Sequence, residues 1–370
     1  MSKNIPLVRR LWGGLLSLFP IPRKMTGERH RRAEPCRMCG CLEGLKISEV
    51  HYWDIKECDL MTCPQCNLTQ FDPMLTDEET ALGCYAYYIQ ETMAESRHSQ
   101  LRNCVRNYRR GVAFASRLKA KGIRPSRVLE LGPGSGYFAA GMQFVFEQAE
   151  FTVLDVLDEV LDRIKAEHGF KTIKATPETI DTSACGRFDL VVARDIIEHV
   201  GDISKVTKNV LEILDDGGYF HFITPNGHED AWAGFARWRL SAQPSEILIN
   251  HVNYFDGRGL ERFLNKLGFA TVDFYNYGLK GTRRGRGWGL RDKNACTPST
   301  RKSAASMVRQ NEGKLRAFDV VKREVLNEWW LHPKLKSLAP WYCRFRDRCI
   351  IRLPVHLNVG HEIFALLQKK

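Results

Sequence analysis

The sequence offers little to carry it across a membrane. Its longest apolar stretch near the start, residues 11–21, is broken by Gly13, Gly14, Ser17 and Pro20. It falls short of the ~20 residues that a helical span needs. Arg9 and Arg10 precede it, as basic residues precede a secretory leader. Pro20, Pro22, Arg23 and Lys24 follow where a small-residue cleavage site belongs. An uncleaved basic tail is therefore expected, with a cytoplasmic location and, at most, peripheral contact with a membrane surface. No internal repeat is present, which excludes repeat architectures. With 44% hydrophobic and 26% charged residues over 370 positions, the chain is neither collagen-like, coiled-coil nor wholly disordered. Its length allows about two or three domains.

What is abundant is cysteine near the start. Six of the 12 cysteines fall within the first 66 residues, and two CxxC pairs stand out, Cys36/Cys39 and Cys63/Cys66. Each tight turn aims two sulfurs at one point, so the four thiolates suit a tetrahedral Zn²⁺ with no open position and no catalytic role. A secreted disulfide framework is the rival reading. The missing leader and the scattered single cysteines Cys84, Cys104 and Cys185 speak against it. Cys41 and Cys58 read as bystanders.

The chain divides into a basic tail (residues 1–34), a zinc ribbon (35–75) and a helical linker (76–125). A core follows (126–279), then a basic insert or lid (280–358) and a last core strand (359–370). Thr76 and Glu79 form a helix-start capping box. From residue 127 onward, strands are expected at 127–131, 151–156, 171–175, 188–193, 218–224 and 269–275. Helices fall between them at 137–148, to about 165, 203–214 and 260–267. Such alternation argues for a parallel α/β sheet. Residues 280–305, rich in Gly, Arg, Lys and Ser, read as a mobile loop. Helical spacing returns between 308 and 330, and residues 361–368 read as a strand.

The first core strand runs into Glu130-Leu131-Gly132-Pro133-Gly134-Ser135-Gly136. A dinucleotide fingerprint would need glycine where Tyr137 stands, and the Gly-Lys-Ser/Thr of a phosphate loop is missing. What remains is an acidic residue followed by three glycines that let backbone approach a ligand closely. A buried carboxylate at Glu130 suits a cationic amino group. S-adenosylmethionine carries such an ammonium and no phosphate. Asp155 ends the second strand, where a carboxylate can accept both ribose hydroxyls. Its bland alternative is a helix cap.

These motifs resemble the class I S-adenosylmethionine-dependent methyltransferases. The likeness extends to residues 188–200, 215–220 and 251–269. The cysteine region resembles the zinc-binding module of one branch, which includes deoxysugar C-methyltransferases. The resemblance implies a doubly wound, mostly parallel seven-stranded sheet with a small N-terminal zinc ribbon and a helical insert before the last strand. It implies that Gly132, Gly134 and Gly136 pack against the methionine moiety and that Glu130 anchors its amino end through the loop. Asp155 would hold the ribose, and Asp195 and Ile196 would line the site. Structural zinc would sit on Cys36, Cys39, Cys63 and Cys66.

Methyl transfer to a hydroxyl or a carbon acid also needs a base, and histidine serves near neutral pH. His199 lies just past the fourth strand, and His251 and Tyr254 follow the fifth, with Asn226 a further polar candidate. Glu198 and His199 alternatively cap and brace their loop. The expected acceptor is a small molecule: a sugar, a glycan or a lipid-linked intermediate. A nucleic-acid methyltransferase is the alternative, although no Asn-Pro-Pro-Tyr, Asp-Pro-Pro-Tyr or Pro-Cys motif is present. A scaffold that has lost activity is a third reading, opposed by the intact glycine loop and Asp155. The oligomeric state is left open.

The formal charge of +12 is unevenly spread. Residues 1–34 carry eight basic and two acidic side chains, and residues 280–350 carry 18 and six. Residues 35–279 carry 26 basic against 34 acidic. The ribbon and core are thus acidic, and any anionic partner, membrane surface or nucleic acid, is expected at the tail and the insert.

Overall fold

A computed structural model describes residues 28–94, 96–227, 251–277 and 362–370, with short stretches at 305–306, 322–326, 331, 333–348 and 352–353. The tail up to residue 27, residues 280–304 of the loop expected at 280–305, and most of the basic insert lie outside the described residues. None of the described helices is long and apolar enough to cross a membrane.

The cysteine region builds an antiparallel sheet. Its strands are β1 (Glu28–Arg31), β2 (Glu43–Tyr52), β3 (Lys56–Thr62) and β4 (Thr69–Asp72). The sheet begins at Glu28, inside the segment expected to be tail, because residues 28–31 pair with 43–46 of β2. Helices α1 (Asp77–Ala94) and α2 (Arg97–Ala120) follow. The capping box at the start of α1 is reciprocal: Thr76 Oγ1 accepts the Glu79 N–H at 3.1 Å, and Glu79 Oε2 accepts the Thr76 N–H at 2.8 Å. α2 is more than a linker. Its Val112, Phe114 and Leu118 are buried in the core.

The second sheet is built by β5 (Arg127–Leu131), α3 (Tyr137–Gln143), β6 (Glu150–Asp155), α4 (Asp158–His168), β7 (Lys171–Lys174), β8 (Phe188–Arg194), α5 (Ile203–Ile213) and β9 (Leu214–Pro225). Next come β10 (Asn253–Tyr254), α6 (Gly257–Leu267) and β11 (Phe269–Tyr277). The remaining described elements are α7 (Lys322–Leu326), a 3₁₀ turn (Pro333–Leu338), α8 (Ala339–Arg348), β12 (Arg352–Leu353) and β13 (Glu362–Lys369). The strand order is β12-β11-β13-β9-β8-β5-β6-β7. Strands β7, β6, β5, β8 and β9 run parallel; β13 lies antiparallel between β9 and β11, so β11 runs in the direction of the parallel set. This is the class I methyltransferase fold. An eighth, two-residue strand, β12, extends the expected seven by pairing with Asn276 and Tyr277.

The helix expected over residues 137–148 stops at Gln143. There the Val145 N–H bonds to Met142 O at 3.0 Å, tightening the chain so that Phe146 turns into the core. α2 and α3 cross closely because a Cβ on Gly111 would lie 2.1 Å from Phe138 O, and one on Gly141 would lie 2.1 Å from Tyr108 O. One core fills the α2 and α3 face of the sheet, and a second fills the α5 and α6 face. The second includes Cys36, Cys63, Cys66 and Leu68, so the ribbon packs directly on the second sheet and its helices.

Candidate active site

Strand order reverses between β5 and β8, and the crevice above the carboxyl ends of strands at such a point is where ligands bind. The glycine loop sits there. Gly132, Gly134 and Gly136 have φ of 59°, 54° and 75°, a region closed to most side chains. The Ile196 side chain lies over the loop: a Cβ on Gly132 would meet its Cδ1 at 2.0 Å. Around Gly134 nothing lies within 4 Å of such an atom, so the loop offers open backbone to a ligand.

Glu130 points into the core below the loop and is 2% exposed. Burial pushes its carboxyl up to about 8, against the pull of Arg194 and the Ala139 N–H. Its Oε2 has no hydrogen-bond partner. Asp155 closes β6, and its Oδ1 accepts the Leu157 N–H at 3.0 Å. Burial pushes Asp155 up to about 6, against its backbone hydrogen bonds. Both carboxylates are therefore desolvated, a state that a bound cation or hydroxyl donor relieves.

The turn after β8 is held to a segment more than fifty residues later. Asp195 takes the left-handed φ of 56°, and its N–H donates to Ile223 O at 2.8 Å. The Glu198 carbonyl accepts the N–H groups of Val252 and Asn253 at 2.9 and 3.0 Å. The Asn253 amide donates back to Val200 O at 2.6 Å. These clips bring the rings of His199 and His251 to 4.9 Å between centroids. Tyr254, buried on β10, places its ring 6.2 Å from that of His251.

The Glu198 side chain is buried, and Thr224 Oγ1 donates to its Oε2 at 2.9 Å, while Oε1 has no partner. Burial, then Asp195, push its carboxyl up to about 8, opposed by His251 and Thr224. A ligand atom from each of Glu198, His199 and His251 lies within 4.8 Å of the others. Two imidazoles and a carboxylate at that spacing can pass a proton between them or hold a divalent cation. Glu198 is the residue that sequence reasoning assigned only to bracing. Its i, i+1 adjacency to His199 was the available signal.

The four sequence-predicted cysteines converge. Cys36 and Cys66 sulfurs lie 3.5 Å apart, Cys39 and Cys63 sulfurs 3.4 Å apart, and all four within 4.8 Å of one another. Each CxxC turn closes the same way. Gly40 N–H donates to Cys36 O at 2.8 Å and Asn67 N–H to Cys63 O at 3.0 Å. Gly40 and Asn67 both adopt positive φ, 75° and 59°, as the residue types that tolerate it best. Packed sulfurs hold the Cys63 thiol below its ordinary range and push Cys36 and Cys66 up. Ligand bonds of ~2.3 Å in a tetrahedron require a sulfur spacing close to the one seen. The described cysteines are free thiols.

Residues 97–273 match the model of a methyltransferase domain. The chain carries a methyltransferase domain. The glycine loop, Asp155, Glu198, His199, His251 and Tyr254 lie within it, and the cysteine quartet lies outside. Among relatives of this domain is the "Ubiquinone biosynthesis O-methyltransferase" of Pectobacterium atrosepticum. It is 31% identical over 119 residues, which cover 31% of this chain and 48% of the relative. The "Malonyl-[acyl-carrier protein] O-methyltransferase" of Legionella pneumophila is 25% identical over 147 residues, covering 38% and 51%. The chain thus spans about half the length of the curated relatives it matches. Among solved structures, the plantazolicin methyltransferase BpumL in complex with SAH superposes with a TM-score of 0.42 at 12% identity, covering 79% of this chain and 98% of that one. The cysteine module implied deoxysugar C-methyltransferases, whereas the two curated relatives named here are O-methyltransferases.

Proposed function

We propose that the methyltransferase domain transfers a methyl group from S-adenosylmethionine to a hydroxyl of a small molecule. The observation that carries this reading is the convergence on one sheet edge of the open glycine loop, Asp155 and the Glu198, His199 and His251 cluster. When bound, S-adenosylmethionine supplies an activated methyl carbon. Gly132, Gly134 and Gly136 accommodate its methionine end, Glu130 anchors the amino end through the loop, Asp155 accepts the ribose hydroxyls, and Asp195 and Ile196 line the site. His199 or His251 takes the acceptor's proton as its oxygen becomes the nucleophile, and Glu198 steadies the imidazolium that results. Tyr254 supports His251.

Oxygen is chosen because the relatives are named O-methyltransferases. A sugar or lipid-linked glycan is the acceptor class that the cysteine module's resemblance implies. Zinc on the four cysteines is structural. The acidic body gives a nucleic-acid acceptor no support, and the same proposal places the protein in the cytoplasm. A second occupant of the Glu198 cluster is favoured by its spacing, a divalent cation that would hold the acceptor oxygen.

Calorimetry with S-adenosylmethionine is the first test, and failure to bind overturns the proposal. Transfer of a labelled methyl group to catechols, nucleotide-linked sugars and RNA then sorts the acceptors. Transfer to RNA alone would defeat the small-molecule reading. Activity that requires added Mg²⁺ or Mn²⁺ would select the cation over a free histidine base.

A further inference from the structure

A cavity of about 40 Å³ lies between α2 and the face of the sheet. Arg110 and Arg117 of α2, Arg194 and His221 of the sheet, and the rings of Phe138 and Phe364 contribute to its wall. The Arg194 guanidinium stands 4.2 Å from the Phe138 ring centroid and that of Arg117 stands 5.1 Å from the Phe364 centroid. Arg117 Nη1 also donates to the Tyr275 hydroxyl at 3.1 Å. Aromatic faces fix guanidinium groups in place without neutralising them. The Arg194 Nε is buried with no hydrogen-bond partner.

His221 supplies the opposite polarity. It is 0% exposed, and its ring stacks on Phe114 at 4.0 Å. Its Nδ1 lies 2.7 Å from Ala365 O, a pure acceptor, so Nδ1 carries the proton. The Nε2 lone pair is then an acceptor, buried and without a partner. Burial pushes the imidazole down to about 3, so it stays neutral. The wall therefore presents guanidinium donors beside one fixed acceptor. Such a pairing matches an oxyanion that also offers a hydroxyl proton.

The size and position narrow the occupant. A cavity needs at least ~10–15 Å³ of such volume to hold one water, so this one has room for a small polar group. It adjoins the reaction edge, because Asp195 interacts electrostatically with Arg110 and Arg194 of the cavity and with His251 of the site. Among the described residues, Glu130 lies within electrostatic range of Arg194, Asp195 lies within range of Arg194 and Arg110, and Glu362 acts on Asp195 and Tyr277 beside them. Burial favours the neutral form of Glu130 and Asp195, which weakens their offset of the guanidinium charge.

We infer that this cavity binds a terminal phosphate of the methyl acceptor in its monohydrogen form, with Arg194 and Arg117 donating to its oxygens and His221 accepting its hydroxyl proton. The inference rests on the proposal that the domain methylates a small molecule, and its test is separable from that proposal. Inorganic phosphate and benzoate are titrated at constant ionic strength into the full chain, with and without saturating S-adenosylmethionine. Phosphate should bind, and benzoate, which has no hydroxyl proton to give His221, should bind more weakly. Arg194→Gln and Arg117→Gln should each weaken that binding by about tenfold or more. Arg194→Lys, which keeps the charge and loses the fork, should fall between. Arg117→Gln should leave S-adenosylmethionine affinity within about twofold, since binding there uses other groups. Should phosphate fail to bind the wild type, or should folded Gln variants bind it as tightly, the inference is overturned. Loss of S-adenosylmethionine binding with anion binding intact would instead count against the proposed function.

Discussion

At Glu198 the chain buries a carboxylate with one unpaired oxygen beside two imidazoles, a costly arrangement unless the group has work to do. Replacing His251 or His199 by Ala removes a candidate base without touching the glycine loop. Turnover should fall by about 100-fold or more for the histidine that serves as base, with S-adenosylmethionine affinity unchanged by calorimetry. Full turnover in both variants would remove the base assignment. Glu130 makes a prediction about pH. Its folded-state value, about 8, lies above its ordinary 4.5, so the folded chain holds this proton more tightly than the unfolded chain. Its stabilising contribution is complete below the ordinary value and is lost as pH rises toward about 8. The ligand-free Glu130→Gln protein should therefore lose less melting temperature than wild type between about pH 5 and about pH 8. Equal losses would mean that Glu130 does not titrate in this window.

At the level of elements, two contacts carry the site. The glycine loop needs φ that L side chains resist, and Gly132 lies under Ile196. Gly132→Ala should weaken S-adenosylmethionine binding by more than about tenfold, because a methyl group there forces strain of ~1 kcal/mol or more and a clash together. The second contact joins the ribbon to the body that carries the candidate site. β4 pairs with β10, Gln70 opposite Asn253 and Thr69 opposite Tyr254, and Asn253 is the clip between the two histidine segments. Gly259 also lies so close to the ribbon that a Cβ would sit 1.9 Å from Cys66 O. Stripping metal from the cysteine quartet should therefore speed hydrogen exchange at residues 252–255 while leaving β5 and β6 protected. Unchanged exchange there would show that the ribbon does not support the histidines.

For the whole molecule, the acidic body and the basic appendages make separate expectations. The intact chain should hold one zinc per molecule by elemental analysis, the metal being lost in Cys63→Ser. Deleting residues 1–27, which contain five Lys and Arg and no acidic residue, should weaken binding to anionic vesicles. S-adenosylmethionine affinity should be unchanged by that deletion. Vesicle binding that survives the deletion would place the contact elsewhere on the chain.

The local pattern of the chain was enough to mark the cysteine quartet, the glycine loop and the acid at the end of the second core strand. Each depends on residues close in sequence, where spacing alone fixes geometry. The alternation of strands and helices likewise announced a parallel α/β sheet, because βαβ crossovers are local units. Three features were beyond its reach. The joining of Glu198, His199 and His251 needs backbone clips across more than fifty residues. The cavity needs Arg110 and Arg117 on one helix to meet Arg194 and His221 on two strands, and only the i, i+7 placement of the two helix arginines hinted at it. The docking of the ribbon's last strand on residues 253–254 reads as nothing in a sequence, since two paired residues carry no pattern. Local chemistry was written in the order of residues, and the meeting of distant side chains was decided by which faces the sheet and helices had to bury.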